Sequence, residues 1–302
     1  MIDIGHWRKG LGREGLWRDG LGRKALAPLL ALALVACQSA DLSGPTSPLD
    51  PASLAEGSFA EPEIRAASAY VVDAGTGRVL LDEAGEAPRY PASLTKMMTL
   101  HLLFDAVAAG RLSLDSDLLV SPFAASRAPS KLGLRAGETI KVRDAAQALA
   151  VKSANDAATV IAENLAGSEA AFAVQMNAKA RAIGMRRTRF VNASGLPQEG
   201  QVTTARDMAT LALSLRGRHP RFAPYFAATE FTYAGKTYKA TNKLLGQGIG
   251  VDGMKTGFIR DSGFHLVASA GRGGHRIVVV VMGGVTGKAR DARVAALVAQ
   301  YL

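Results

Sequence analysis

In the stretch PASLTKMMT, residues 91–99, a serine and a lysine stand three positions apart where an apolar helix begins. That spacing puts Ser93 and Lys96 on one helix face. Pro91 and the turn-like residues before it predict Ser93 at the helix N-terminus, where the helix dipole favours developing negative charge. Lys96, set among Met97, Met98 and Leu100, would lose its hydration, and its pKa would fall. A neutral amine beside the hydroxyl can take its proton, as a serine nucleophile requires. The plainer reading is a helix cap with a surface lysine nearby, and composition alone supplies about one S-x-x-K in a chain of this length.

Two further stretches have polar groups at close spacing. In SAND, 153–156, Ser153 and Asn155 alternate on a connection between helical patterns, so a hydroxyl and an amide can face one cleft. The alternative is that either residue caps a helix starting near Ala157. In GMKTGF, 253–258, at a strand onset, Lys255 offers a fixed cation, Thr256 a hydroxyl, and Gly257 a backbone that a substrate can approach closely. A hairpin with a solvent-facing lysine is the simpler account. S-x-x-K, S-x-N and K-T-G each occur once, in that order. Chance produces the set on the order of once in a hundred such chains, so coincidence fails.

Composition removes other chemistries. The chain has 302 residues, a net charge of +10 and 6% aromatic residues. Its basic residues are scattered rather than clustered, which disfavours a nucleic-acid surface. One cysteine forbids an intramolecular disulfide and a cysteine-rich zinc site. Five histidines without H-E-x-x-H, and no G-x-S-x-G, argue against a metallohydrolase and an α/β-hydrolase. No metal and no cofactor is expected.

The elements that must position these groups follow from the pattern. SAYVVDAGTGRVLLDE, 68–83, outlines a hairpin through an Asp-Ala-Gly-Thr-Gly turn. A largely buried helix follows Pro91, and helical periods recur near 143–151, 154–166, 169–183 and 204–216. Residues 263–270 and 275–285 read as strands, and 287–302 as a closing helix. The order predicts an α+β domain over 67–302, helices packed on an antiparallel sheet.

The chain's start reads as an address. ALAPLLALALVA, 25–36, follows Arg23 and Lys24 and is too short to span a bilayer. A basic flank before a short apolar run marks residues 1–36 as a secretory signal, whose long basic region contains an unusual echo, WRKGLGRE and WRDGLGRK. Residues 37–66, with Pro45, Pro48, Pro51 and Pro62 among small and acidic residues, keep no hydrophobic period and read as a disordered tether.

The three motifs, with YVVDAGTGRVL, PSKLGLRAGETI, VNASGLPQ, TTARDMA and VDGMKTGF, resemble the D-alanyl-D-alanine carboxypeptidases, the low-molecular-mass penicillin-binding proteins. The likeness covers 67–302 and implies a transpeptidase/β-lactamase-like domain. It implies Ser93 as nucleophile, Lys96 as general base, and Ser153 as the hydroxyl passing a proton to the leaving amine. Asn155 would hold the substrate peptide, and Lys255 and Thr256 would receive its terminal carboxylate. Arg290 matches a supporting arginine by spacing alone. The oxyanion hole would be the N–H groups of Ser93 and Phe258.

The substrate so implied is the peptidoglycan stem pentapeptide ending in D-Ala-D-Ala, with β-lactams as covalent inhibitors and no nucleic acid partner. Endopeptidase and transpeptidase action share the acyl-enzyme. A class A β-lactamase would need E-x-x-L-N, which is missing, and a non-catalytic envelope lipoprotein is at odds with three intact motifs. LVAC, 34–37, resembles a bacterial lipobox, so Cys37 is expected to carry lipid, with Gln38 favouring the outer membrane. Two departures from the family stand out. Phe258 replaces a common histidine, and the chain ends soon after K-T-G, where many relatives continue into a β domain and a membrane helix. The N-terminal lipid would then serve as the anchor.

Overall fold

A computed structural model describes residues 67–302. The expected signal segment, Cys37 and the tether lie outside the described residues.

Five strands form the central sheet: β1 (Ser68–Asp73), β2 (Val79–Glu83), β7 (Val251–Ile259), β8 (Gly263–Arg272) and β9 (His275–Gly284). Their order is β2-β1-β9-β8-β7, and every neighbouring pair is antiparallel. The predicted first hairpin is therefore present at one edge, and the closing chain segment inserts β9 beside β1. Ile277 to Met282 is an unbroken apolar run because both faces of β9 are covered. Val278, Val280 and Met282 join the core beneath the helical block, while Ile277, Val279 and Val281 pack with Val294, Leu297 and Val298. The latter three belong to α8 (Gly287–Tyr301), the closing helix.

The helical block lies between β2 and β7 in sequence. It contains α1 (Lys96–Ala108), α2 (Pro122–Ser126), α3 (Val142–Gln147), α4 (Asn155–Ala166), α5 (Glu169–Ala182), α6 (Ala205–Arg218) and α7 (Ala223–Ala227). Two small two-stranded sheets accompany it: β3 (Asp117–Leu119) with β4 (Thr139–Lys141), bracketing α2, and the hairpin of β5 (Glu230–Tyr233) with β6 (Lys236–Lys239) after α7. No helix among the described residues is long and apolar enough to cross a membrane.

Three local expectations change. Ser93 does not sit at the α-helix N-cap. It lies on a separate 3₁₀ turn, Ala92–Thr95, that feeds α1. The helix near 143–151 splits, α3 giving way to a π-helical turn at Ala148–Lys152. K-T-G occupies the middle of β7 rather than its onset, since pairing already begins at Val251. Gly253 and Asp252 break the apolar alternation there and hide the strand's start.

Candidate active site

The 3₁₀ turn holds Ser93 at the mouth of a cleft, with Ala92 before it in the left-handed region at φ 47°. For a residue with a Cβ this conformation is strained, and surrounding packing must hold it. Part of that packing comes from Gly195, at φ 79°, where an added Cβ would collide with the Ala92 carbonyl. Part comes from β7. A Cβ on Gly257 would press on Leu94, Ala92 and His265 at 3.3–3.4 Å. Gly257 thus lets the serine turn approach the strand, a demand for glycine that adds to the expected close approach of a substrate backbone.

Lys96, the first residue of α1, is fully buried. Its Nζ lies 3.0 Å from Ser93 Oγ, 2.7 Å from Asn155 Oδ1 and 2.6 Å from the Ser194 carbonyl oxygen. Burial pushes its pKa well below the ordinary lysine range, and the nearby Lys255 cation pushes the same way. A neutral amine has two N–H groups and one lone pair. Asn155 and Ser194 accept the two hydrogens, which leaves the lone pair for the Ser93 proton.

The π-helical turn ends at Ser153, itself left-handed at φ 63°. The cap of α4 is Ala154, and α4 starts at Asn155, so neither Ser153 nor Asn155 acts as the helix cap. Ser153 Oγ instead accepts from Lys255 Nζ at 2.9 Å. Asn155 donates through Nδ2 to the Ala128 carbonyl at 3.2 Å, which fixes its oxygen toward Lys96. Asp156, buried beside it, accepts from the backbone N–H groups of Leu132, Gly133 and Leu134 and secures the loop carrying Ser130.

Across the cleft, β7 presents Lys255 inward. Burial, with Arg290 second, lowers the Lys255 pKa to about 7. Thr256 donates to Thr241 Oγ1 at 2.7 Å. Arg290, buried on α8, donates to the His265 carbonyl oxygen at 2.5 Å and pairs with Asp291 at 2.8 Å. The cleft holds about 850 Å³ and is lined by Ser93, Ser153, Thr256, Gly257, Phe258 and Arg290, among others. Phe258, half exposed, rests against Phe264 with ring centroids 4.3 Å apart.

The fold therefore gathers Ser93, Lys96, Ser153, Asn155, Lys255, Thr256, Gly257, Phe258 and Arg290 around one cleft. Sequence reasoning missed Ser194, whose contribution is a carbonyl that no side-chain pattern reveals. It also missed Asn192, whose Oδ1 accepts from the N–H groups of Ser194 and Gly195 and shapes that loop. The Asn-Ala-Ser-Gly composition of 192–195 was the available signal, because such residues build side-chain-stabilised turns. Ser130, within the PSKLGLRAGETI stretch but not singled out there, and Thr241, which nothing in its sequence neighbourhood marks, also line the cleft.

Comparison with known proteins agrees with this arrangement. The chain is 35% identical over 240 residues to the D-alanyl-D-alanine carboxypeptidase DacF of Bacillus subtilis, covering 76% of this chain and 60% of that protein. It spans about three fifths of the length of the first such curated relatives. Penicillin binding protein 5 from Haemophilus influenzae superposes with a TM-score of 0.76 at 30% identity, over 80% of this chain and 72% of that one. Penicillin-Binding Protein D2 from Listeria monocytogenes, in its ampicillin-bound form, gives 0.67 at 32% identity, over 79% of this chain and 98% of that one. The family described as D-alanyl-D-alanine carboxypeptidase matches residues 55–286. With the serine, the buried lysine and the K-T-G strand assembled on the expected antiparallel sheet, the chain belongs to the D-alanyl-D-alanine carboxypeptidase family.

Proposed function

We propose that the protein is a serine DD-carboxypeptidase that removes the terminal D-alanine from peptidoglycan stem pentapeptides through a Ser93 acyl-enzyme. The observation that carries this reading is Lys96: buried, 3.0 Å from Ser93 Oγ, and hydrogen-bonded only to uncharged oxygens. Neutral Lys96 takes the Ser93 proton as Oγ attacks the penultimate D-alanine carbonyl. The N–H groups of Ser93 and Phe258 hold the developing oxyanion. As the C–N bond breaks, Ser153 gives its hydroxyl proton to the leaving D-alanine nitrogen and is reprotonated by the proton that Lys96 took from Ser93. Lys255, Thr256 and Arg290 receive its carboxylate, and Asn155 steadies the peptide. Water then cleaves the ester and restores the Ser93 hydroxyl.

Incubation with a D-Ala-D-Ala pentapeptide should release D-alanine, and a penicillin should leave one adduct on the intact protein. Binding of ampicillin by the Listeria relative supports the second expectation. Both should vanish in Ser93→Ala; an adduct that persists there removes Ser93 as nucleophile.

The substrate places the domain outside the cytoplasm. We read residues 1–36 as its export signal, 37–66 as a tether, and Cys37 as the lipidated residue, favouring the outer membrane through Gln38. LVAC supports this, and acylation there would give stable anchoring. Cys37→Ala should move the protein out of the membrane fraction. A wild-type protein that already fractionates as soluble overturns the assignment.

A further inference from the structure

Two histidines and a carboxylate converge behind the helix that begins with Lys96. His101 and Asp105 stand four apart on α1, and His219 is the residue that ends α6. His219 Nε2 lies 3.1 Å from Asp105 Oδ1, and His101 Nδ1 lies 3.4 Å from Asp105 Oδ2. The imidazole rings meet nearly edge-on, centroids 4.9 Å apart. Among the described residues this is the one group of its kind whose ligand atoms all fall within 4.8 Å of one another.

A second, independent observation concerns His101 Nδ1. The ring is fully buried, and its Nε2 lies 2.9 Å from Ser214 Oγ. Its Nδ1 is also buried, has no hydrogen-bond partner, and faces the cluster. If Nε2 carries the hydrogen and gives it to Ser214, the Nδ1 lone pair is left over. That is the arrangement of a metal-ligating histidine whose other nitrogen is fixed by an outer hydrogen bond. A buried polar atom without a partner otherwise costs stability for no return.

We propose that His101, Asp105 and His219 form a structural site for a zinc-class divalent cation, tying α1 to the end of α6. Two imidazoles with one carboxylate suit zinc rather than magnesium or calcium. The candidate ligand atoms lie within 4.8 Å of one another; bonds of about 2.0–2.1 Å to one Asp105 oxygen would draw them to a tetrahedral edge of about 3.3 Å and replace the His219 hydrogen bond to Oδ1. Water completes the tetrahedron.

Lys179, on α5, competes for the site. Its Nζ lies 2.6 Å from Asp105 Oδ2, and both side chains are one-fifth exposed. Metal entry requires this ammonium to swing into solvent, so the lysine sets the affinity. Motif reading could not find the site, because its third ligand lies 114 residues beyond Asp105.

The test titrates zinc into chelator-treated protein by calorimetry, with cobalt as the spectroscopic probe. Wild type should bind one equivalent, show the visible bands of tetrahedral cobalt and melt higher with zinc. Lys179→Met should tighten zinc binding at least tenfold. His219→Asn, with folding checked by its own melting transition, should weaken it at least tenfold, and Asp105→Asn serves as the second ligand variant. If neither wild type nor Lys179→Met binds one equivalent, or if His219→Asn binds undiminished, the site does not exist.

Discussion

Helix α1 carries two polar clusters, centred on Lys96 and Asp105 about two and a half turns apart, and they treat charge in opposite ways. At Lys96 the amine meets a hydroxyl, an amide oxygen and a backbone carbonyl, with no carboxylate in hydrogen-bond reach. Burial then outweighs the more distant carboxylates Glu169 and Asp156, and the lysine pKa falls well below its usual range. At Asp105 burial pulls the carboxyl pKa upward, but the hydrogen bond from Lys179 and the neighbouring His101 outweigh it, so the carboxylate stays ionised. Uncharged acceptors make a base; a charged partner makes an ion pair. The difference lies largely in the residues brought to the helix by α4, by the 192–195 loop and by α5, with His101 of α1 itself adding to the second.

The largest expected effect tests the uncharged cluster directly. Lys96→Arg keeps the positive charge, but a guanidinium does not deprotonate in this range. Acylation by a penicillin should fall by about 10² to 10⁴, the usual share of general-base catalysis. Thermal unfolding measured alongside must show a folded protein. A folded variant acylating within about tenfold of wild type would reduce Lys96 to an electrostatic anchor.

The next effect would convert the first cluster into the second. Asn155→Asp places a carboxylate where an amide oxygen now lies 2.7 Å from Lys96 Nζ. An opposite charge at that distance shifts a pKa by about 1–3 units, here upward for the lysine. The neutral fraction at pH 7 then drops, so acylation should slow by about 10- to 10³-fold, and the rising limb of its pH profile should move to higher pH. If the rate drops while the limb stays in place, Asn155 acts on the substrate alone and the contrast between the clusters is not what tunes Lys96.

How far the sequence anticipated this is best judged from particular residues. The sheet was legible where pattern and packing coincide: Tyr70 and Val72 alternate with Ala69 and Val71 between the two cores, as a strand covered on both sides requires. Helices α4, α5, α6 and α8 fall within two residues of their predicted limits, because each keeps an apolar stripe. The motif side chains were legible because chemistry demands their types. What stayed hidden was conformation without compositional cost. Ala92 and Ser153 adopt left-handed backbone where glycine or asparagine would be expected. The two small sheets, β3–β4 and β5–β6, are too short for alternation to rise above noise. The Ser194 carbonyl acts through the backbone, and His219 joins α1 only through tertiary packing.

The smallest expected effect concerns the other buried lysine, which lies between the two extremes. Lys255 donates to Ser153 Oγ and to the Thr256 carbonyl, with Arg290 adding repulsion and no carboxylate in contact, so its pKa falls to about 7. A substrate carboxylate would supply the missing counter-charge. If Lys255 receives that carboxylate as proposed, the free enzyme binds it best with Lys255 protonated, and that form is lost as pH rises through its pKa. From pH 7 to pH 8 the protonated fraction drops from about one half to about one tenth, so this limb of kcat/KM for a D-Ala-D-Ala peptide should fall about fivefold. Lys96 acts in the opposite sense, since its neutral form grows with pH and raises the rate. The two are separated by esterifying the peptide's terminal carboxylate: the ester should keep the rising limb and lose the falling one. A falling limb that survives esterification would assign it to some group other than Lys255, and the reading of Lys255 as the carboxylate receptor would lose its electrostatic basis.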